Sequence, residues 1–486
     1  MEEKGEKVLF VTAEAIPFAS SGGLGEVASS LPAALCAKGA DVRVVMPLYR
    51  TVGQQYRREM TTLYESTVPV AWRQEYCGIR MLQYNGVIYY FIDNEHYFGR
   101  TAMYGCYDDG ERYAFFCRAV CEMMWQVHFF PDVLHANDWQ CALSVIYLRQ
   151  FYRDRPGYGS VRTLYTIHNI EYQGVFGTEN YTDLFGLDRQ LYGDLLYHGD
   201  LNLTKGAIVC ADRVSTVSPR YAQEICTAGY AEGLHHILEQ YRYKLCGILN
   251  GIDTRSYDPA QDSALPVRYT ADDPDGKAHN KSHLQQELGL PISQNTFLIA
   301  MISRLVPHKG LDLVSCVIRE VLCADVQFVV LGTGDRRYEQ FLCDLQSQYP
   351  QKVRSIQRFD RELSRRIYAG ADLFLMPSRS EPCGLSQMIA SRYGTVPLVR
   401  ETGGLADSVR WYDRESGEGN GFTFASYNAH DMLHVIWQAL GVYLYDRDRW
   451  QALSRKIMEI DFSWSRSAES YLSLYRNMTA ADKIRL

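Results

Sequence analysis

Short apolar runs, each closed by a loop of small or polar residues and followed by an apolar stripe at helical spacing, recur along most of this 486-residue chain. Strands that alternate with helices in this way are joined by crossovers, and crossovers force a parallel sheet covered on both faces. The first repeat reads as a strand over 8–12, a loop, a helix and a strand over 42–46. Leu24, Val27, Ala28, Leu31 and Leu35 form the helix stripe and Gly39 ends it. Further strands are expected from 87 to 92, from 133 onward, at 162–167 and 213–218, then at 297–302, 326–331 and 373–376. Helices are expected at 113–127 and 311–322. At roughly 150 residues per domain the length suits two or three domains. A stretch rich in Pro, Asp and Ala after Asp258 marks the break. The expected division is a first domain over 1–257, a linker over 258–280, a second domain over 281–463 and a terminal helix over 464–486.

Composition removes several classes of function. Lys and Arg total 50 against 57 Asp and Glu, a formal charge of −7, which argues against a nucleic-acid partner. No apolar run approaches the ~18 residues of a membrane span, and Met1-Glu2-Glu3-Lys4 lacks the apolar core of a secretory leader. A cytoplasmic location without membrane association is therefore expected. Thirteen cysteines without paired Cys-x-x-Cys spacing fit reduced, mostly buried thiols. Cys117 and Cys121 share a helical face, where core packing outweighs metal binding.

Residues with chemical capacity gather where the apolar runs end, the edge at which doubly wound sheets bind ligands. Ser20-Ser21-Gly22-Gly23 opens the first helix, so a diphosphate can approach amides that have no helical partner. Taken alone, a glycine pair is more often a plain turn. Asp138 follows the run that starts at Val133, with a helix N-cap as its ordinary role. His168 follows 162–167, and Asn250 precedes Gly251 in a turn-type dipeptide. Arg304 and Lys309 straddle a turn after 297–302 and can converge on one diphosphate, offsetting the charge on a departing group. Glu381 precedes Pro382 after 373–376, in a restricted extended backbone that turns it toward a cleft. Gly403-Gly404 echoes the first glycine pair.

The string Glu381-Pro382-Cys383-Gly384-Leu385 resembles the matching segment of bacterial glycogen synthases and plant starch synthases, retaining glycosyltransferases. Thr166-Ile167-His168-Asn169 with Tyr172-Gln173-Gly174, the Arg304 to Lys309 turn, and the strings around Asp138 and Asn250 resemble the same family in the same order. The resemblance implies an α/β chain with two doubly wound Rossmann-like domains facing a cleft, the GT-B architecture, and a last helix crossing back to the first domain. It implies transfer of glucose from a nucleotide sugar, chiefly ADP-glucose, to the non-reducing end of an α-1,4-glucan with retention of configuration. Domain closure around the donor is expected to exclude water.

By that resemblance Glu381 grips glucose hydroxyls, Asp138 lines the acceptor side, and Arg304 and Lys309 hold the diphosphate. His168 would bind a sugar hydroxyl, with its carbonyl facing the anomeric carbon. Ser20, Gly22, Gly23, Asn169, Asn250, Cys383, Gly384 and Leu385 complete the expected substrate contacts. No metal or other cofactor is expected, and Asp446-Arg447-Asp448 reads as a solvated charge cluster. In one place the chain departs from the pattern: family members usually carry Lys where this chain has Ser20, which leaves the donor nucleotide open between ADP and UDP. A same-fold transferase with UDP-glucose or another acceptor, a non-catalytic glucan-binding regulatory protein, and a glycosidase using Asp138 and Glu381 are the other readings.

Overall fold

The computed structural model describes residues 5–273 and 275–483, so the reading of Met1 to Lys4 lies outside it. Its contacts divide the chain into two units, Met1–Asn250 with Trp464–Leu486, and Gly251–Ser463.

In the first unit the strands are β1 (Lys7–Val11), β2 (Asp41–Pro47), β3 (Thr61–Val70), β4 (Arg73–Tyr84), β5 (Val87–Asp93), β6 (Val133–Asn137) and β7 (Arg162–Ile167). They are followed by β8 (Val175–Phe176), β9 (Leu196–Tyr197), β10 (Asp200–Asn202), β11 (Arg213–Thr216) and β12 (Leu245–Gly247). Nine of them form one sheet in the order β12-β11-β7-β6-β1-β2-β5-β4-β3, while β8, β9 and β10 make a small separate sheet. The main sheet is parallel from β12 to β5. At its far edge β4 and β3 run antiparallel, because two residues, Ala71 and Trp72, join them and so short a link makes only a hairpin. The strand order reverses at β1, between β2 and β6, so the loops after β1 and β6 flank the crevice of this sheet.

Every residue of β6 is buried, including His135 and Asn137, which a strand covered on both faces permits only with partners. His135 Nδ1 lies 2.8 Å from the Tyr475 hydroxyl and Nε2 lies 2.6 Å from Thr166 Oγ1. Tyr475 belongs to the Trp464–Lys483 helix, whose Trp464, Ala468, Tyr471, Leu472, Tyr475 and Met478 are buried in the first unit's core. That spacing is one helical face.

The second unit contains β13 (Phe297–Ile302), β14 (Val326–Leu331), β15 (Val353–Ile356), β16 (Leu373–Met376), β17 (Val396–Arg400) and β18 (Phe422–Phe424). All are parallel, in the order β15-β14-β13-β16-β17-β18, with the reversal between β13 and β16. The stretch expected to link the halves groups with this unit by its contacts. A helix, Asp275–Glu287, begins within it, and Lys281 Nζ is paired at 2.7 Å with Asp372, both buried. Lys277 Nζ donates to the carbonyls of Ala369 and Tyr393 and to Thr395 Oγ1. Its Pro, Asp and Ala content is that of a surface, and two lysines anchor it.

Candidate active site

The reversal in the second unit brings the loop after β13 against the loop after β16. Gly310, at φ 76°, allows this approach, since a Cβ there would lie 2.1 Å from the Pro377 carbonyl oxygen. The Arg379 N–H then donates to the His308 carbonyl at 2.8 Å. As a result Lys309 Nζ sits 2.6 Å from Glu381 Oε2, and Ser378 Oγ donates to the same carboxylate oxygen at 3.0 Å. Arg304 is exposed beside them. Arg304, Lys309, Ser378, Glu381, Gly384 and Leu385 share one cavity of about 170 Å³, with Cys383 buried behind it.

Gly403 and Gly404 do not repeat the first glycine pair. Cβ atoms on them would lie 1.9 Å from the Glu381 carbonyl oxygen and 2.0 Å from that of Cys383. The Gly404 N–H donates to Glu381 O at 3.2 Å, so this pair backs the Glu381 loop and offers no open cradle.

In the first unit the glycine pair is open: Cβ atoms on Gly22 and Gly23 would meet nothing within 4 Å. Two of the loop's amides are nevertheless occupied. Glu14, buried beyond the end of β1, accepts from Ser21 N–H and Ser21 Oγ at 2.6 Å each, from Gly22 N–H at 3.3 Å and from the Tyr104 hydroxyl at 2.7 Å. The Gly25 N–H donates to Gly22 O at 3.2 Å, which leaves the Gly23 and Leu24 amides at the helix start, and Ser20 stays exposed, its hydroxyl donating to Gly22 O.

Asp138 precedes the Trp139–Tyr147 helix but does not cap it with its side chain. Its backbone sits at φ 57°, ψ 176°, a region that disfavours every residue except glycine, and its carboxylate accepts the His168 N–H at 2.7 Å. Burial pushes the Asp138 carboxyl pKa up to about 7, with the Glu14 charge adding and the His168 and Asn169 N–H groups opposing. Burial also holds the His168 imidazole down at about 3, and its Nε2 lies 2.9 Å from Asn137 Oδ1. Asn169 caps the turn that follows, accepting from the Glu171 N–H. Asn250 is buried apart from these groups, its Oδ1 without a partner among the described residues.

Sequence reasoning missed Glu14, Tyr104, Asn137 and Ser378. A lone acid just beyond the apolar run Val8 to Val11 was the available signal for Glu14. Among the described residues no group of three His, Cys, Asp or Glu side chains is placed to hold a metal ion, and Asp446 pairs with Arg414 and Arg449. Cys117 and Cys121 are buried, their thiols directed at the carbonyls of Gln140 and Ser144. No described helix is long and apolar enough to cross a membrane.

Residues 7–240 match the family model of the starch synthase catalytic domain and 286–458 that of glycosyl transferases group 1. A glycogen synthase from Geobacillus thermodenitrificans (strain NG80-2) is 48% identical over 474 residues, 97% of this chain and 98% of the relative. The chain belongs to the glycogen and starch synthase family. Like its relatives it is a retaining glycosyltransferase, with the two-domain α/β fold termed GT-B. The catalytic domain of starch synthase IV from Arabidopsis thaliana, solved with ADP and acarbose, is 36% identical with a TM-score of 0.90, covering 98% of this chain and 100% of its own. Sucrose-phosphate synthase from Thermosynechococcus elongatus, 17% identical with a TM-score of 0.62 over 98% of this chain and 100% of its own, shares the fold.

Proposed function

We propose that this glycogen synthase family member transfers glucose from ADP-glucose to the non-reducing end of an α-1,4-glucan in glycogen synthesis. The observation that carries the reading is the convergence of Arg304, Lys309 and Glu381 on one cavity at the reversal of the second sheet. Breaking the bond between the anomeric carbon and the diphosphate puts negative charge on the leaving group and positive charge on the sugar, so cations and a carboxylate are both needed. Arg304 and Lys309 take the diphosphate. Lys309 pairs with Glu381, so a diphosphate that draws Lys309 to itself frees the carboxylate to accept from glucose hydroxyls. Ser378 keeps that carboxylate in place.

To the first unit we assign a diphosphate contact through the Gly23 and Leu24 amides, the acceptor side to Asp138 and a sugar hydroxyl to His168. The acceptor proton leaves toward the departing phosphate oxygen. Asn169, Asn250, Cys383, Gly384 and Leu385 complete the substrate contacts.

The test is incorporation of labelled glucose into glycogen from ADP-glucose and, in parallel, UDP-glucose. Incorporation is expected with ADP-glucose preferred. Glu381→Ala is expected to lower kcat by roughly 10³ and Lys309→Ala by roughly 10². Absence of incorporation from either donor overturns the reading, and release of free glucose from glycogen without a nucleotide sugar would favour a glycosidase instead.

A further inference from the structure

We infer that Asn137 is a positioning residue that holds the His168 imidazole as its Nε2–H tautomer, so that Nδ1 meets the sugar as a hydrogen-bond acceptor. The inference rests on the glucosyl-transfer reading above and adds to it the polarity of one sugar contact.

Asn137 closes β6 and is fully buried. Its amide nitrogen donates to the carbonyls of Val11 at 3.0 Å and His135 at 3.2 Å. Backbone carbonyls only accept, so the NH₂ end of the amide must face them and the oxygen end must face the other way. That oxygen lies 2.9 Å from His168 Nε2. An amide oxygen carries no proton, so Nε2 has to supply it. A neutral imidazole has a single N–H, which leaves the lone pair on Nδ1. Burial keeps the ring neutral, holding its pKa at about 3. His168 is only partly buried, and Nδ1 makes no hydrogen bond among the described residues.

The backbone supports the same arrangement. Successive side chains of a strand point to opposite faces, yet Asn137 and Asp138 both reach His168, one at its ring and the other at its main-chain N–H. The positive φ of Asp138 breaks the alternation. The strain at that residue thus places two clamps on the next strand's end, and the ring can neither rotate nor exchange its proton without breaking the bonds of Asn137. The sugar group meeting Nδ1 must therefore be a donor. A hydroxyl satisfies this requirement, whereas a group that only accepts does not.

Two measurements test this. Long-range nitrogen–proton spectra of the purified chain, with His168→Gln used to assign the ring, are expected to show Nε2 protonated and Nδ1 bare between pH 6 and pH 8. In Asn137→Asp a carboxylate oxygen replaces the amide oxygen beside the ring and likewise only accepts, so Nε2 is expected to stay protonated while the melting transition stays cooperative. The opposite tautomer in the parent chain overturns the inference, as does a folded Asn137→Asp variant whose ring carries its proton on Nδ1 and not on Nε2.

The second measurement uses ADP-glucose analogues with single hydroxyls replaced by hydrogen or by fluorine, which accepts but cannot donate. One position is expected to lose about tenfold or more in kcat/KM on deoxygenation in the parent chain and little in His168→Ala. At that position fluorine should be no better than hydrogen. Recovery by fluorine would mean that His168 donates, and no position showing the coupling would mean that Nδ1 meets no hydroxyl; either result overturns the inference. Failure of the parent chain to use any glucose donor would sink the transferase reading instead, and the tautomer result would separate the two.

Discussion

Asp138 combines two unfavourable features, a backbone in the glycine region and a carboxyl out of water. Its folded pKa, about 7, lies above the unfolded value, so the native state holds more protons between pH 4 and pH 7 and loses stability as pH rises through that window. His135 and His168 act oppositely. Burial depresses both, so their stability is present above about pH 6.5 and is lost as pH falls below it. Asp138→Asn should therefore raise stability at pH 8 by on the order of 2 kcal/mol, less than the full pKa difference represents. It should also steepen the loss below pH 6.5 and remove most activity; melting curves from pH 4 to 8 and glucose incorporation check this. Lower stability of the variant at pH 8 would refute the assignment of a buried charge. At the other end of the same sheet reversal, Ser20→Lys restores a cation beside the open amides of the glycine loop. Donor KM is expected to fall several-fold, and an unchanged KM would show that the loop's amides suffice.

Among the elements, the Trp464–Lys483 helix is held by an apolar face and by the polar line Tyr475, His135, Thr166 and Ser215. Tyr475→Phe keeps the ring and removes the hydroxyl, leaving His135 Nδ1 buried without a partner. A loss of about 1–3 kcal/mol in the first unit is expected from denaturant melts. The Asp275–Glu287 helix allows a contrast between a buried and a more open ion pair. Lys281→Met strands the Asp372 carboxylate in the interior and should cost roughly 3–5 kcal/mol. Arg366→Ala breaks a pair with Glu287 whose side chains are 19% and 29% exposed, and should cost less than about 1 kcal/mol. Equal costs would contradict the difference in burial. The strand expectations at 162–167, 297–302, 326–331 and 373–376 coincide with β7, β13, β14 and β16, because strands buried on both faces read as largely apolar, β-branched or aromatic runs, unbroken in β13 and β16 and interrupted by Gln327 in β14 and by threonines in β7. The antiparallel β3 and β4 and the packing of residues 258–280 were not legible, since both depend on what lies beside them.

At the scale of the whole chain, the second unit is continuous in sequence whereas the first is assembled from both ends. The fragment 251–463 is expected to fold alone and to bind ADP, though more weakly than the intact chain, because every lining residue of its cavity lies inside it while the amides of the glycine loop do not. The fragment 1–250 is expected to aggregate unless 464–486 is restored, because without the terminal helix the apolar surface it covers is exposed. Calorimetry and ADP titration of the fragments decide both, and a soluble, cooperatively melting 1–250 would refute the second. The order of strands and helices, and the presence of acids, cations and small residues at the strands' ends, follow from local pattern and were readable along the chain. Which of those groups meet was decided by strand order in the sheets. Lys309 and Glu381 are 72 positions apart and bonded because β13 and β16 are neighbours. Likewise, Asn137 faces His168 because β6 lies beside β7. Periodicity determines which side chains can be buried, but a hydrogen bond needs a partner within about 3 Å, and only the folded chain supplies one.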